Sequence, residues 1–120
     1  MKTILVIDDD NMILMILKQT LTKAGYRVFT VTSGEEGITL LATSQVDLVL
    51  TDYTMPLMTG VDLCARIRKI RPDIPLILSS GGTEQITEES LRQDGIDEYL
   101  PKPITFQGLA QVVRRALDKK

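Results

Sequence analysis

The stretch Thr3-Ile4-Leu5-Val6-Ile7-Asp8-Asp9-Asp10 decides the fold predicted for this chain. Its first five residues are apolar or β-branched, which is typical of a strand buried on both faces. Three carboxylates follow directly, so the strand ends where the chain becomes acidic. Leu48-Val49-Leu50 repeats the pattern, since Thr51 and Asp52 follow it. Two buried strands are therefore predicted to end beside aspartates.

Short apolar runs alternate with longer amphipathic stretches along the whole chain. We predict strands over residues 3–7, 27–31, 47–51, 76–79 and 97–100. We predict helices over residues 11–24, 33–42, 59–70, 84–93 and 105–119, with Ser33 and Thr59 as N-terminal caps. Five strand–helix repeats with short connections indicate an α/β fold whose helices cover both faces of a parallel sheet. A length of 120 residues suits one domain over residues 1–120.

Composition and charge exclude several classes of function. A net charge of −2 argues against direct nucleic-acid binding and against a polybasic membrane anchor. No window is long and apolar enough to span a membrane, and the apolar run at the N-terminus is too short for a signal peptide. We therefore expect a cytoplasmic protein. Cys64 is the single cysteine, and its place in a predicted helix indicates a small core residue.

Polar side chains follow four of the five predicted strands. Asp8, Asp9 and Asp10 follow the first strand, and Asp52 follows the third. Ser79-Ser80 ends the fourth strand, and Lys102 follows the fifth. Because the carboxyl ends of parallel strands meet at one edge of a sheet, we expect these side chains to converge there.

Carboxylates placed together repel each other unless a cation compensates their charge. Magnesium prefers one or two carboxylates together with water and phosphate oxygens, so Asp8, Asp9 and Asp52 predict a Mg²⁺ site. The chain has no histidine and one cysteine, which argues against zinc or copper. Taken singly, Asp10 is better explained as a helix cap, and Asp52 would be an ordinary turn residue. It is the joint placement at strand ends that indicates a site.

Four segments, taken together, resemble the receiver domains of bacterial and archaeal response regulators over residues 2–117. They are Ile4-Leu5-Val6-Ile7-Asp8-Asp9-Asp10, Asp52-Tyr53-Thr54-Met55-Pro56-Leu57-Met58-Thr59-Gly60, Pro75-Leu76-Ile77-Leu78-Ser79-Ser80-Gly81 and Tyr99-Leu100-Pro101-Lys102-Pro103. The second segment is similar to the family pattern D-x-x-M-P-x-x-x-G. The resemblance implies a flavodoxin-like (βα)5 fold, doubly wound, with five parallel strands in the order 2-1-3-4-5. Residues 81–103 look like receivers attached to hybrid sensor histidine kinases.

The resemblance also implies a role for each acidic residue. Asp52 would accept a phosphoryl group from a phosphohistidine on a sensor histidine kinase or a histidine phosphotransfer protein. Asp9, Asp52 and the backbone carbonyl of Thr54 would bind Mg²⁺ directly, with Mn²⁺ as a substitute. Asp8 would act on the metal through water. Asp9 and Asp10 remain an alternative to Asp8 and Asp9 as the acidic pair.

The remaining implied roles belong to the last two strands. Lys102 would pair with Asp52 and then with a phosphoryl oxygen, and the Lys102–Pro103 peptide bond is expected to be cis. Ser80 would bind the attached phosphoryl group, with Ser79 as the alternative. Tyr99 would then turn inward as residues 80–100 switch between two states.

Several functions follow from this resemblance or compete with it. The expected function is that of a phosphoacceptor signalling domain of a two-component system. Such a domain catalyses its own phosphorylation and dephosphorylation but is not a turnover enzyme. It would act as a monomer or weak dimer on an unknown downstream protein. The alternatives are a phosphorylation-independent docking module and a flavodoxin-like cofactor carrier. An aspartyl-phosphate phosphatase or mutase is disfavoured because Thr54 stands where its second acid should be.

Overall fold

The computed structural model describes residues 1–53, 58–81 and 87–118. Five strands alternate with five helices along the chain. In chain order they are β1 (Thr3–Ile7), α1 (Asn11–Lys23), β2 (Arg27–Val31), α2 (Gly34–Thr43), β3 (Leu48–Asp52), α3 (Gly60–Ile70), β4 (Leu76–Ser80), α4 (Glu88–Gln93), β5 (Glu98–Pro101) and α5 (Phe106–Asp118).

All five strands are parallel and lie in the order β2-β1-β3-β4-β5, as predicted. The chain starts near the middle of the sheet, moves to β2, and returns past β1 to β3. This reversal places the carboxyl ends of β1 and β3 side by side at the point where ligands bind in open α/β sheets.

The sheet separates two apolar cores. Alternate residues of the strands pack with Leu17 of α1 and Val113 of α5 on one face, which we call the α1/α5 face. The other alternate residues pack with Leu41 of α2 and Ile67 of α3 on the opposite face. Cys64 belongs to this second core and is fully buried, as predicted. Burial on both faces explains why the central strands read as continuous apolar runs.

Local capping sets the helix starts. The Ser33 side chain accepts a hydrogen bond from the backbone N–H of Glu36, and the Thr59 side chain accepts one from Asp62, so both predicted caps are confirmed. The predicted start of α4 near residue 84 is wrong, since the helix begins at Glu88. Its first turn is fixed by a capping box with Thr87. The predicted residues 84–86 lie outside the described part of the chain.

Strand ends differ from the prediction by one residue. β3 includes Asp52 and β4 includes Ser80, because Asp52 pairs with Ser79 and Ser80 pairs with Pro101. Asp52 and the two serines therefore lie on the sheet itself, whereas Asp8 and Asp9 follow β1. Among the described helices none is both long and apolar enough to cross a bilayer, and the longest have 13 residues.

Candidate functional site

Three carboxylates meet at the carboxyl ends of β1 and β3. Carboxylate oxygens of Asp8, Asp9 and Asp52 all lie within 4.8 Å of one another. Asp8 is 3% exposed and Asp52 is 8% exposed, whereas Asp9 is exposed to solvent. The cluster therefore combines two buried carboxylates with one that solvent reaches. Oxygen ligands in this arrangement can hold a hard cation with positions left for water or a phosphate oxygen.

Lys102 joins the cluster from β5. Its Nζ lies 3.1 Å from Asp52 Oδ1 and 3.4 Å from Asp8 Oδ2. The loop that carries it is fixed by the Lys102 backbone N–H, which donates to the Ser80 carbonyl at 2.8 Å. The Lys102–Pro103 peptide bond is cis. The predicted pairing with Asp52 is thus present in the structure, and the contact with Asp8 is one that sequence reasoning missed.

The electrostatics of the cluster are those of crowded like charges. Burial raises the pKa of Asp8 and the negative charge of Asp52 raises it further, although a hydrogen bond from the Asp10 N–H and the charge of Lys102 oppose the rise. Partial burial alone would lower the pKa of Lys102. Its hydrogen bond to Asp52 and the charges of both carboxylates outweigh burial, so the Lys102 pKa is raised. The one ammonium group is therefore firmly cationic but is shared between two anions.

Asp10 stabilises the start of a helix and is not part of the carboxylate cluster. Its carboxylate accepts hydrogen bonds from the backbone N–H groups of Met12 at 2.9 Å and Ile13 at 3.4 Å, which caps α1. The structure thus brings Asp8, and not Asp10, together with Asp9 and Asp52. This favours the first of the two acidic pairings considered above.

Ser80 and Tyr99 contact each other near the carboxyl end of β4, the strand next to the one that carries Asp52. Ser80 Oγ and the Tyr99 hydroxyl are 3.0 Å apart, and Ser80 is 1% exposed. Ser79 is also buried, but it faces the other side of β4. Its hydroxyl has no hydrogen-bond partner within the described ranges. Thr54, whose carbonyl is the remaining predicted ligand, lies outside the described residues.

Gly60 has a role that sequence reasoning overlooked. Its N–H donates to the Tyr53 carbonyl at 2.6 Å, which closes the loop after β3. A Cβ at this position would lie 2.5 Å from the Asp52 carbonyl and 2.8 Å from Leu78. Only glycine permits this close approach of α3 to the strand that carries Asp52. The pattern D-x-x-M-P-x-x-x-G includes this glycine, but the steric reason for it is seen only in the structure.

Comparison with known proteins identifies the family. The sequence profile of the response regulator receiver domain matches residues 4–114. This chain belongs to that family. The function expected from the sequence, that of a receiver domain in two-component signal transduction, is therefore confirmed, as is the resemblance on which it rested.

Curated relatives of this receiver domain are longer regulators. The DNA-binding transcriptional regulator NtrC of Azospirillum brasilense is 42% identical over 116 residues, which are 97% of this chain and 24% of NtrC. The transcriptional regulatory protein AfsQ1 of Streptomyces coelicolor is 34% identical over 119 residues, which are 99% of this chain and 52% of AfsQ1. The chain thus spans about a quarter of NtrC and about half of AfsQ1.

Solved receiver structures match closely over the whole fold. A response regulator receiver domain protein from Clostridium thermocellum superposes with a TM-score of 0.91 at 33% identity, covering 99% of this chain and 96% of its own. The response regulator TrrA of Thermotoga maritima, solved in complex with Mg²⁺-BeF, superposes with a TM-score of 0.88 at 33% identity. That match covers 98% of this chain and all of TrrA.

Proposed function

We propose that Asp52 is the phosphoacceptor of this receiver domain and that Asp8, Asp9 and Asp52 hold Mg²⁺ beside it. The observation that carries the proposal is the placement of Asp52. Its carboxylate is nearly buried, lies 3.1 Å from the Lys102 ammonium, and shares a 4.8 Å cluster with two further carboxylates. An anionic oxygen needs no general base to act as a nucleophile.

The transfer reaction needs positioning and charge neutralisation more than acid–base chemistry. An Asp52 carboxylate oxygen forms a bond to phosphorus as the bond from phosphorus to the histidine nitrogen of the donor breaks. The donor is a sensor histidine kinase or a histidine phosphotransfer protein. The released imidazole nitrogen keeps the electron pair of that bond. In hydrolysis, water replaces the Asp52 oxygen on phosphorus. The domain thus acts on its own phosphoryl group and is not a turnover enzyme.

A bound divalent ion supplies positive charge to the phosphoryl oxygens. The three carboxylates supply only oxygen donors, which fits Mg²⁺, with Mn²⁺ as a substitute. Asp9 and Asp52 would hold the ion directly, together with the carbonyl of Thr54, and the more buried Asp8 would act through water. Lys102 already faces Asp52, so it moves only a short distance to reach a phosphoryl oxygen.

We assign the structural response to phosphorylation to Ser80 and Tyr99. Phosphorylation adds roughly −1.5 to −2 charge and three acceptor oxygens next to Asp52. Ser80 ends β4 one residue beyond Ser79, the partner of Asp52 in the sheet, so its hydroxyl donates to one of these oxygens at the strand end. This changes its contact with the Tyr99 hydroxyl. Tyr99 then packs inward, and β4, β5 and α4, within residues 80–100, adopt their second state.

The proposed reaction implies two protein partners, one that donates the phosphoryl group and one that responds to it. The phosphohistidine protein is one partner, and a downstream protein that reads the 80–100 region is the other. NtrC is a DNA-binding regulator, but a net charge of −2 suits a regulatory part that does not touch nucleic acid itself. We place the protein in the cytoplasm.

The test is phosphorylation by a small phosphodonor in Mg²⁺, followed by intact-mass measurement. Wild type and Asp10→Asn should each gain one phosphoryl group, because asparagine also caps α1 and Asp10 lies outside the cluster. Asp52→Asn should gain none, and a chelator should abolish the gain in wild type. If Asp52→Asn gained the same mass as wild type, the acceptor would be another residue. If no variant gained mass, a phosphorylation-independent docking module would be the better account.

A further inference from the structure

Ser79 is a buried hydroxyl that the function proposed above does not use. It is 3% exposed, and its Oγ has no hydrogen-bond partner in the described part of the chain. Burying a hydroxyl without a partner destabilises a fold, so such groups are rare and call for an explanation. Valine or alanine would fill the same place in a strand without this cost. The position of Ser79 on the sheet indicates what the hydroxyl contacts when the site is in use.

The pairing of β3 with β4 places Ser79 next to Asp52, the proposed phosphoacceptor. Leu50 of β3 and Ile77 of β4 both pack in the core of the α1/α5 face. Side chains alternate along a strand, so Asp52 and Ser79, each two residues further on, point to that same face. The two residues are direct neighbours across β3 and β4. Ser80 points to the opposite face, where it meets Tyr99.

The Lys102 side chain passes over β4. β4 lies between β3 and β5 in the sheet. Lys102 follows β5, yet its Nζ contacts Asp52 on β3 and Asp8 after β1. Lys102 also lines a cavity with Leu17 of α1 and Leu109 of α5, so its side chain passes β4 on the α1/α5 face. Ser79 is the last side chain of β4 that points to this face, so it lies under the crossing.

A lysine ammonium has three N–H donors. Two of them face carboxylates in the free site. When Asp52 carries a phosphoryl group, its oxygen is bonded to phosphorus and the negative charge moves outward. Lys102 then directs one donor to a phosphoryl oxygen and keeps a second on Asp8, which leaves its third donor for a further acceptor. The buried neutral oxygen of Ser79 offers that acceptor and adds no further charge to a crowded anionic site.

We propose that Ser79 is a positioning residue, whose hydroxyl accepts a hydrogen bond from the Lys102 ammonium and holds it over the acceptor site once Asp52 carries a phosphoryl group. This inference rests on the function proposed above and names a further residue for the same reaction. It assigns separate tasks to the two adjacent serines. Ser80 reports the phosphoryl group to Tyr99, and Ser79 keeps the neutralising lysine in place.

Beryllofluoride with Mg²⁺ is a suitable probe, because it imitates the phosphoryl group on a carboxylate without being consumed. Its affinity is measured by calorimetric titration. Ser79→Ala should bind it about fivefold more weakly than wild type, which corresponds to the loss of one ordinary hydrogen bond. Thr3→Val is the matched control, since Thr3 is also a buried hydroxyl residue of the sheet but begins β1, at the edge of the sheet opposite to the site. Its affinity should equal that of wild type.

A double-mutant cycle tests whether the effect of Ser79→Ala on beryllofluoride affinity depends on Lys102 or comes from a general change in the structure. In a Lys102→Met background, Ser79→Ala should change beryllofluoride affinity by less than about twofold, because the partner of the hydroxyl is gone. A fivefold loss that persists in this background would overturn the inference, as would a Ser79→Ala protein that binds like wild type.

If Ser79→Ala fails to fold, Ser79→Cys keeps the volume and substitutes a weaker acceptor, so the same loss is expected. Asp52→Asn tests the underlying function separately, since binding that survives it would refute the acceptor whatever Ser79 does.

Discussion

At the scale of single residues, neighbouring aspartates do different work. Asp10 caps α1, whereas Asp8 and Asp9 face Asp52. Replacing Asp10 with alanine removes the acceptor for two backbone N–H groups and should lower the free energy of unfolding by about 1 kcal/mol. Asp10→Asn should restore most of it. Urea denaturation of the three proteins measures the difference, and an Asp10→Ala protein as stable as wild type would contradict the assignment.

Cys64 provides a second test at this scale. Burial raises the pKa of its thiol to about 12, so the thiolate is almost absent in the folded protein at pH 8. Iodoacetamide should therefore leave the native protein unmodified and label it fully in denaturant. The raised value also predicts that this group favours folding below its ordinary pKa of 9.0, and that its contribution is lost as the pH rises towards 12. Rapid labelling of native protein at pH 8 would show that the thiol is accessible.

At the scale of elements, α4 is a short helix without a buried residue, and it is anchored at its C-terminal end. The Arg68 guanidinium of α3 donates to the carbonyls of Gly95, Pro72 and Ile74 and forms an ion pair with Asp97 at 2.9 Å. These contacts fix the loop between α4 and β5 against the start of β4. Arg68 therefore joins the end of α4 to the strand that carries Ser80.

Arg68→Ala should lower the free energy of unfolding by about 3 kcal/mol, because it removes the donors to the partly buried carbonyls of Gly95 and Ile74 together with the ion pair to Asp97. Arg66→Ala is the matched control two residues earlier on α3. Arg66 pairs with Glu35, but the two side chains are 44% and 68% exposed, so the loss should stay below about 0.5 kcal/mol. Chemical denaturation distinguishes the two, and equal losses would refute the anchoring role.

Particular elements show what the sequence could predict. The apolar runs ending in Asp8 and Asp52 predicted the buried strands and the site, because burial on both faces and polar strand ends leave a local signal. The start of α4 was placed too early, since a polar helix of six residues has no apolar period to locate it. The Arg68 contacts and the crossing of β4 by Lys102 join residues distant in sequence. They depend on strand order and register, which no local pattern of residues specifies.

At the scale of the whole molecule, the proposed metal site predicts that Mg²⁺ changes the stability of the fold. Three like charges within 4.8 Å repel one another in the metal-free protein, and a cation relieves that repulsion. Mg²⁺ should therefore raise the melting temperature of wild type, and the rise should grow with the logarithm of Mg²⁺ concentration once that exceeds the dissociation constant. Asp9→Asn should be slightly more stable than wild type without metal and should lose the increase caused by Mg²⁺. Thermal denaturation with and without Mg²⁺ measures both effects, and an unchanged Mg²⁺ response in Asp9→Asn would contradict the ligand assignment.

The central claim is that Asp52 carries the phosphoryl group. An acyl phosphate can be reduced by borohydride, which converts the phosphorylated aspartate to homoserine and leaves free carboxylates intact. Wild-type protein would be phosphorylated by a small phosphodonor in Mg²⁺, reduced, digested and mapped by tandem mass spectrometry. Homoserine at position 52, absent when the phosphodonor is omitted, is the predicted result. Homoserine at position 8 or 9, with an unmodified Asp52, would contradict the account.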